Sequence, residues 1–140
     1  MMDYETYRRL YVVDPPPKPR FAFGSTEVTL FFDKYPQVVE YYSQVLGPPG
    51  YIEGDNTTSW QIGSNWITLL RGRSGAPTNM EVAFKMQTPA AAEQLQKAFI
   101  DAGGEGEPPS DQIMFKPVRY CPVVDPFGTN ILAFAQLDGH

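Results

Sequence analysis

Two stretches of the chain pass through the same order of events, and that recurrence limits its possible folds more than any single motif does. In the first, residues 27–32 mix β-branched and aromatic side chains in a short run suited to a pleated, half-buried strand. Asp33 ends the strand and Pro36 starts a helix. Within that helix Val38, Val39, Tyr42, Val45 and Leu46 recur at spacings of three and four, so they share a face, and Gly47 supplies the left-handed residue that closes it. In the second stretch, 81–87 reads as a strand and Thr88 as an N-cap with Pro89 behind it. Ala91, Leu95, Ala98, Phe99 and Ala102 then form another apolar stripe that ends at Gly103-Gly104. Glu27 and Glu81 hold corresponding places about fifty residues apart, a spacing that suits a repeated supersecondary module.

The segments after each helix complete the plan. Pro48-Pro49-Gly50 turns the chain into three short runs, 51–54, 57–62 and 66–70, separated by Asp55-Asn56 and Gly63-Ser64-Asn65, which predicts an antiparallel meander. Residues 71–79, rich in Gly, Ser, Pro and Arg, read as a linker. In the second half a short strand is expected at 103–107, a loop at 108–111, a strand at 119–124 and a last strand at 129–136 after the Asp125-Pro126-Phe127-Gly128 turn. Residues 113–116 read either way. The expected fold class is therefore α+β: a single domain over 25–137, built of βαβββ modules at 25–72 and 79–137, with helices near 36–46 and 89–102. Residues 1–24 form an N-terminal arm and 138–140 a tail. In the arm Tyr4, Tyr7, Leu10 and Tyr11 have helical spacing, and the proline-rich stretch 14–19 must be extended. Its aromatic content suits packing on the domain or on a partner subunit, with a disordered leader as the alternative.

Composition removes several classes of function. With 140 residues, 42% of them hydrophobic and 14% aromatic, the chain can bury a core of its own. A net charge of −5, with Lys and Arg scattered, argues against nucleic acid or an anionic membrane as partner. The lone cysteine, Cys121, leaves no internal disulfide. No apolar run approaches the ~20 residues of a membrane span, and the first residues lack the apolar centre of a signal peptide, so a cytoplasmic location is expected. Unpaired sheet edges and an apolar face in each module lead to the expectation of a homodimer.

Tyr41-Tyr42-Ser43-Gln44-Val45-Leu46-Gly47 resembles the Phe-Tyr-x-x-x-Leu-Gly signature of the vicinal oxygen chelate superfamily, and Asp125-Pro126-Phe127-Gly128 is similar to the Asp-Pro-x-Gly before its last strand. The superfamily includes glyoxalase I, bleomycin-resistance proteins and extradiol dioxygenases. The resemblance covers about residues 25 to 137, and the motifs stand in order within a tandem βαβββ plan. It implies an incomplete, cup-shaped mixed β-barrel with helices outside, usually completed in a dimer, and a ligand in the cup. Metal enzymes of the superfamily take His or Gln from the first strand and Glu from the last strand of each module. The resemblance puts Glu27 and Glu81 at the first positions but Thr68 and Leu132 at the second. Two carboxylates are short of the roughly three or four good ligands that a first-row metal needs. The one histidine, His140, is the last residue.

Other catalytic patterns do not occur: there is no Gly-x-Ser-x-Gly, no phosphate-cradling glycine loop, no cysteine pair for zinc and no histidine base in the body of the chain. Cys121 reads as a buried structural residue. Strand alternation places Thr29 and Phe31 on the side of Glu27, and Trp66 and Leu70 on the side of Thr68. Trp60, Phe115 and Tyr120 are further candidates for an aromatic wall, with Thr68, Lys85, Arg119 and Asn130 as polar groups, although any one of these rings would equally serve as core. The favoured reading is a metal-free protein resembling the bleomycin-resistance proteins, which binds a planar or aromatic organic molecule in the cup. The alternative is a glyoxalase-like or lyase-type enzyme holding one divalent metal ion between Glu27 and Glu81. Whether any reaction is catalysed stays open.

Overall fold

Alternation along the strands sorts each sheet into two unlike faces. The computed structural model describes residues 2–20, 27–73, 80–113 and 116–139. An N-terminal helix α1 (Tyr4–Tyr11) precedes a first module of β1 (Val28–Phe32), α2 (Tyr35–Leu46), β2 (Tyr51–Glu53), β3 (Thr57–Ile62) and β4 (Asn65–Arg71). The second module is β5 (Glu81–Lys85), α3 (Pro89–Asp101), β6 (Ser110–Ile113), β7 (Pro117–Val124) and β8 (Asn130–Gln136). Each module forms one four-stranded sheet, in the orders β1-β4-β3-β2 and β5-β8-β7-β6. In both sheets the first strand runs parallel to the last and the remaining pairs are antiparallel. The repeat expected from the sequence is therefore present, and the mixed sheets follow from it, because the helix carries the chain across the sheet before the meander returns.

The helices form where their termini are satisfied. Thr88 Oγ1 accepts from the Ala91 N–H at 3.1 Å and Pro89 opens α3. Pro36 lies in the first turn of α2, which Gly47 closes at φ +94°. Both helices lie on the same side of their sheets. Leu30, Phe32, Ile67 and Leu69 from the first sheet, Val82, Phe84, Val123 and Ile131 from the second, Val38, Tyr41 and Tyr42 from α2 and Phe99 from α3 belong to one buried cluster. The two modules thus share a single core, and the opposite faces of their sheets, here called the open faces, look away from it.

Two local expectations change. Residues 103–107 contribute only one bridge, Glu105 to Val124, and the strand that pairs with β7 is Ser110–Ile113, whose first two residues were expected in a loop and whose last read either way. Ser110, Asp111 and Gln112 are exposed polar residues with little intrinsic strand preference, and pairing along β7 decides their conformation. Strand β7 also begins at Pro117, earlier than expected. In the arm α1 forms as expected but buries none of its residues. Most of the linker, 74–79, lies outside the described residues. Among the described residues no helix is long and apolar enough to cross a membrane.

Candidate functional site

On the open face of the first sheet the strand register builds three rows. The middle row is Thr29 on β1, Thr68 on β4, Ser59 on β3 and Tyr51 on β2, which are paired neighbours across the sheet. Ser59 Oγ and Thr68 Oγ1 share a hydrogen bond of 2.8 Å. One flanking row holds Trp66 opposite Gln61, and the other holds Phe31, Leu70 and Thr57. Rows on one face lie about 7 Å apart, two residues along a strand. Phe31 is 51% exposed and Trp66 half-buried, so two aromatic rings flank a line of hydroxyls that runs from the exposed Thr29 through the half-buried Thr68 to the buried Ser59.

The open face of the second sheet carries Glu81, Ala83 and Lys85 on β5, Asn130, Leu132 and Phe134 on β8, and Tyr120 and Pro122 on β7. Glu81, Tyr120 and Asn130 line a 620 Å³ groove together with Glu105 and Glu107. Leu132 is buried at 1% exposure.

The expected binding residues therefore divide. Phe31, Trp66 and Thr68 come together on the first open face, while Lys85 and Tyr120 lie on the second. Trp60 and Arg119 belong to neither. Trp60 pairs with Ile67 on the helix side, is 3% exposed and donates its Nε1–H to the Gly47 carbonyl at 2.8 Å. One residue of strand separates it from Ser59, and that places it on the other face. Arg119 alternates to the helix side of β7, where it meets Asp111 at 2.6 Å and Glu93 of α3 at 3.3 Å. Phe115 lies outside the described residues, as does His140. Cys121 is fully buried on the helix side, and burial pushes its thiol up, away from the thiolate.

Ser59 was not anticipated, although its signal was available. A hairpin turn of two residues, Gly63-Ser64, pairs Ile62 with Asn65 and so sets Ser59 opposite Thr68; the composition of 63–65 also allowed a three-residue connection, which shifts the register.

The two segments that carry the family resemblance touch one another. Tyr42 donates its hydroxyl to Asp125 Oδ2 at 2.6 Å, and Asp125 Oδ1 accepts from the N–H groups of Phe127 and Thr129 at 2.9 and 2.8 Å. Tyr41 donates to the Phe99 carbonyl at 2.8 Å, and its ring meets Phe127 edge-on at 5.7 Å between centroids. Burial and the nearby Asp125 charge push the Tyr41 phenol up to about 12, and the same causes raise Tyr42. These residues join α2 to the turn before β8, buried on the helix side and away from either open face. Their role is to hold the two modules together.

The donor set for a divalent metal is poor. Thr29 pairs with Thr68 and Ala83 with Leu132, so the central positions of the open faces offer hydroxyl and alkyl groups in place of carboxylate or imidazole. Glu27 lies exposed just before β1, and Glu81 lies exposed at the head of β5. Among the described residues no group of three or more His, Cys, Asp or Glu side chains is placed to hold a metal ion. The residues present do not fit such a centre.

No protein-family model matches the sequence, and no curated protein matches it. Solved structures do resemble it. A glyoxalase/bleomycin resistance protein from Albidiferax ferrireducens superposes with a TM-score of 0.68 at 18% identity, over 80% of this chain and 98% of that one. A glyoxalase/bleomycin resistance protein/dioxygenase from Nocardioides gives 0.63 at 18% identity, over 98% and 95%. The fosfomycin resistance protein FosX from Listeria monocytogenes, solved with Mn(II) and sulfate, gives 0.66 at 15% identity, over 84% and 94%. At such identities the likeness is one of architecture, and with the tandem βαβββ modules it leads to one statement: this chain has the fold of the vicinal oxygen chelate superfamily.

Proposed function

We propose that the protein, resembling the bleomycin-resistance proteins, binds a planar or aromatic organic molecule, without a metal, on the open face of its first sheet. The observation that supports this most directly is the line of hydroxyls from Thr29, Thr68 and Ser59 flanked by the exposed Phe31 and the half-buried Trp66. Rings supply apolar area and stacking, and a few hydroxyls fix orientation. Neither expected cation serves this face: Lys85 stands on the second sheet, and Arg119 is committed to Glu93 and Asp111. In a single chain the first face stands open to water, and a second copy closing over it would complete the enclosure in a homodimer.

The test combines metal analysis with ligand titration. The purified protein is expected to retain no stoichiometric divalent metal and to gain none when Mn(II) is added, while planar aromatic compounds quench its tryptophan emission. Stoichiometric, tight Mn(II) or Zn(II) would overturn the metal-free reading and favour the enzyme built on Glu27 and Glu81.

A further inference from the structure

Two glycines beside the first open face are not required by the backbone. Gly47, Gly54 and Gly63 sit at positive φ, where a side chain is strained, but Gly50 and Gly72 do not. What these two meet is aromatic rings. A Cβ built on Gly50 would lie 3.2 Å from Cζ3 and 3.3 Å from Cη2 of Trp66, and one on Gly72 would lie 3.1 Å from Cδ1 of Phe31. Both contacts are tighter than ordinary van der Waals distance, and neither backbone is free to retreat. The Gly50 N–H donates to the Ser59 carbonyl at 2.9 Å, and the Gly72 N–H donates to the Phe32 carbonyl at 3.0 Å. Trp66 stands on β4, and its ring reaches past β3 to rest its far edge on Gly50.

We infer that Gly50 and Gly72 are positioning residues that seat the Trp66 and Phe31 rings, and that their lack of a side chain sets the size of planar ligand the hydroxyl row accepts. This rests on reading the first open face as the binding site. A methyl group at either position pushes its ring away from its seat, because the ring edge is the partner able to move. At residue 50 the displaced ring is the half-buried indole, and at residue 72 it is the more exposed phenyl. Neither glycine stands at positive φ, so Ala at either position avoids that backbone strain.

The experiment labels the protein with 5-fluorotryptophan, whose two fluorine signals report Trp60 and Trp66 separately and are assigned with Trp66→Phe. Gly50→Ala is expected to move the Trp66 signal and leave the Trp60 signal in place. Affinity for 2-naphthol as probe should fall by at least about threefold. The same substitution made in a Trp66→Phe background should have no effect on affinity, because the smaller ring does not reach residue 50. Gly72→Ala should weaken 2-naphthol independently without moving the Trp66 signal. An unmoved Trp66 signal in Gly50→Ala would overturn the positioning role. A moved signal with 2-naphthol binding unchanged, or with none in the parent protein, would overturn control of the ligand and with it the assignment of this face as the site.

Discussion

The bond between Tyr42 and Asp125 offers the sharpest test of how the two modules are joined. Asp125 is 3% exposed, and among the described residues the hydroxyl of Tyr42 is the group that meets its Oδ2, at 2.6 Å. Tyr42→Phe keeps the ring and its packing but leaves that carboxylate oxygen buried without a donor. A hydrogen bond to a charged group is worth about 1.5–3 kcal/mol. Tyr41→Phe is the control. It removes a bond of 2.8 Å to the Phe99 carbonyl, but that oxygen still accepts from the Gly104 N–H at 2.9 Å. A neutral bond of this kind contributes about 0.5–1.5 kcal/mol. Urea denaturation at neutral pH measures both losses. With a slope of about 2 kcal/mol per molar, Tyr42→Phe should lower the midpoint by about 1 M and Tyr41→Phe by about 0.5 M. Asp125→Asn, which keeps an acceptor for Phe127 and Thr129 and offers an amide to Tyr42, should lose less than Asp125→Ala. If Tyr42→Phe costs under about 0.5 kcal/mol, or less than Tyr41→Phe, the bond does not hold the modules together and the reasoning fails.

The same tyrosines predict alkaline sensitivity. Tyr41 titrates near 12 in the fold and near 10 in the unfolded chain, so its stabilisation is fully present below about 10, and between those values the unfolded state holds fewer protons and stability falls as pH rises. The raised phenol of Tyr42 acts in the same direction, and urea midpoints that stay flat across the window would contradict both assignments. Thr88→Ala should cost about 1 kcal/mol by removing the cap of α3, and an unchanged thermal midpoint would show that the cap is not needed. For ligand binding, Trp66→Ala should remove on the order of 2 kcal/mol, whereas Glu27→Gln and Arg119→Ala should leave affinity unchanged; isothermal titration that finds the reverse would favour the metal-enzyme alternative. Light scattering at tens of micromolar should report a dimer, and a monomer would leave the first face open and count against enclosure by a second copy.

What the sequence determined by itself was the repeat, and through it the architecture. A strand of β-branched and aromatic residues, a proline at the helix start, an apolar stripe at spacings of three and four and a closing glycine are local signals. Each acts within a few residues of its own position, so α2 and α3 form close to where the pattern places them. Register and facing are different. Ser59 meets Thr68 because a two-residue turn fixes the hairpin, and the same choice turns Trp60 into the core; one residue of slip would exchange the two. Arg119 fits a ligand-orienting role by residue type, but α3 places Glu93 on the face to which Arg119 points, and that partner lies 26 positions away in the chain. Ser110–Ile113 forms a strand with little preference of its own because β7 offers it an edge. The bond from Tyr42 to Asp125 spans 83 positions, and both ends were legible as motif residues while their contact was not. Local chemistry writes the elements, but which side chain faces the ligand and which faces the core depends on partners distant in the chain, and those are settled only when the two modules close on a common core.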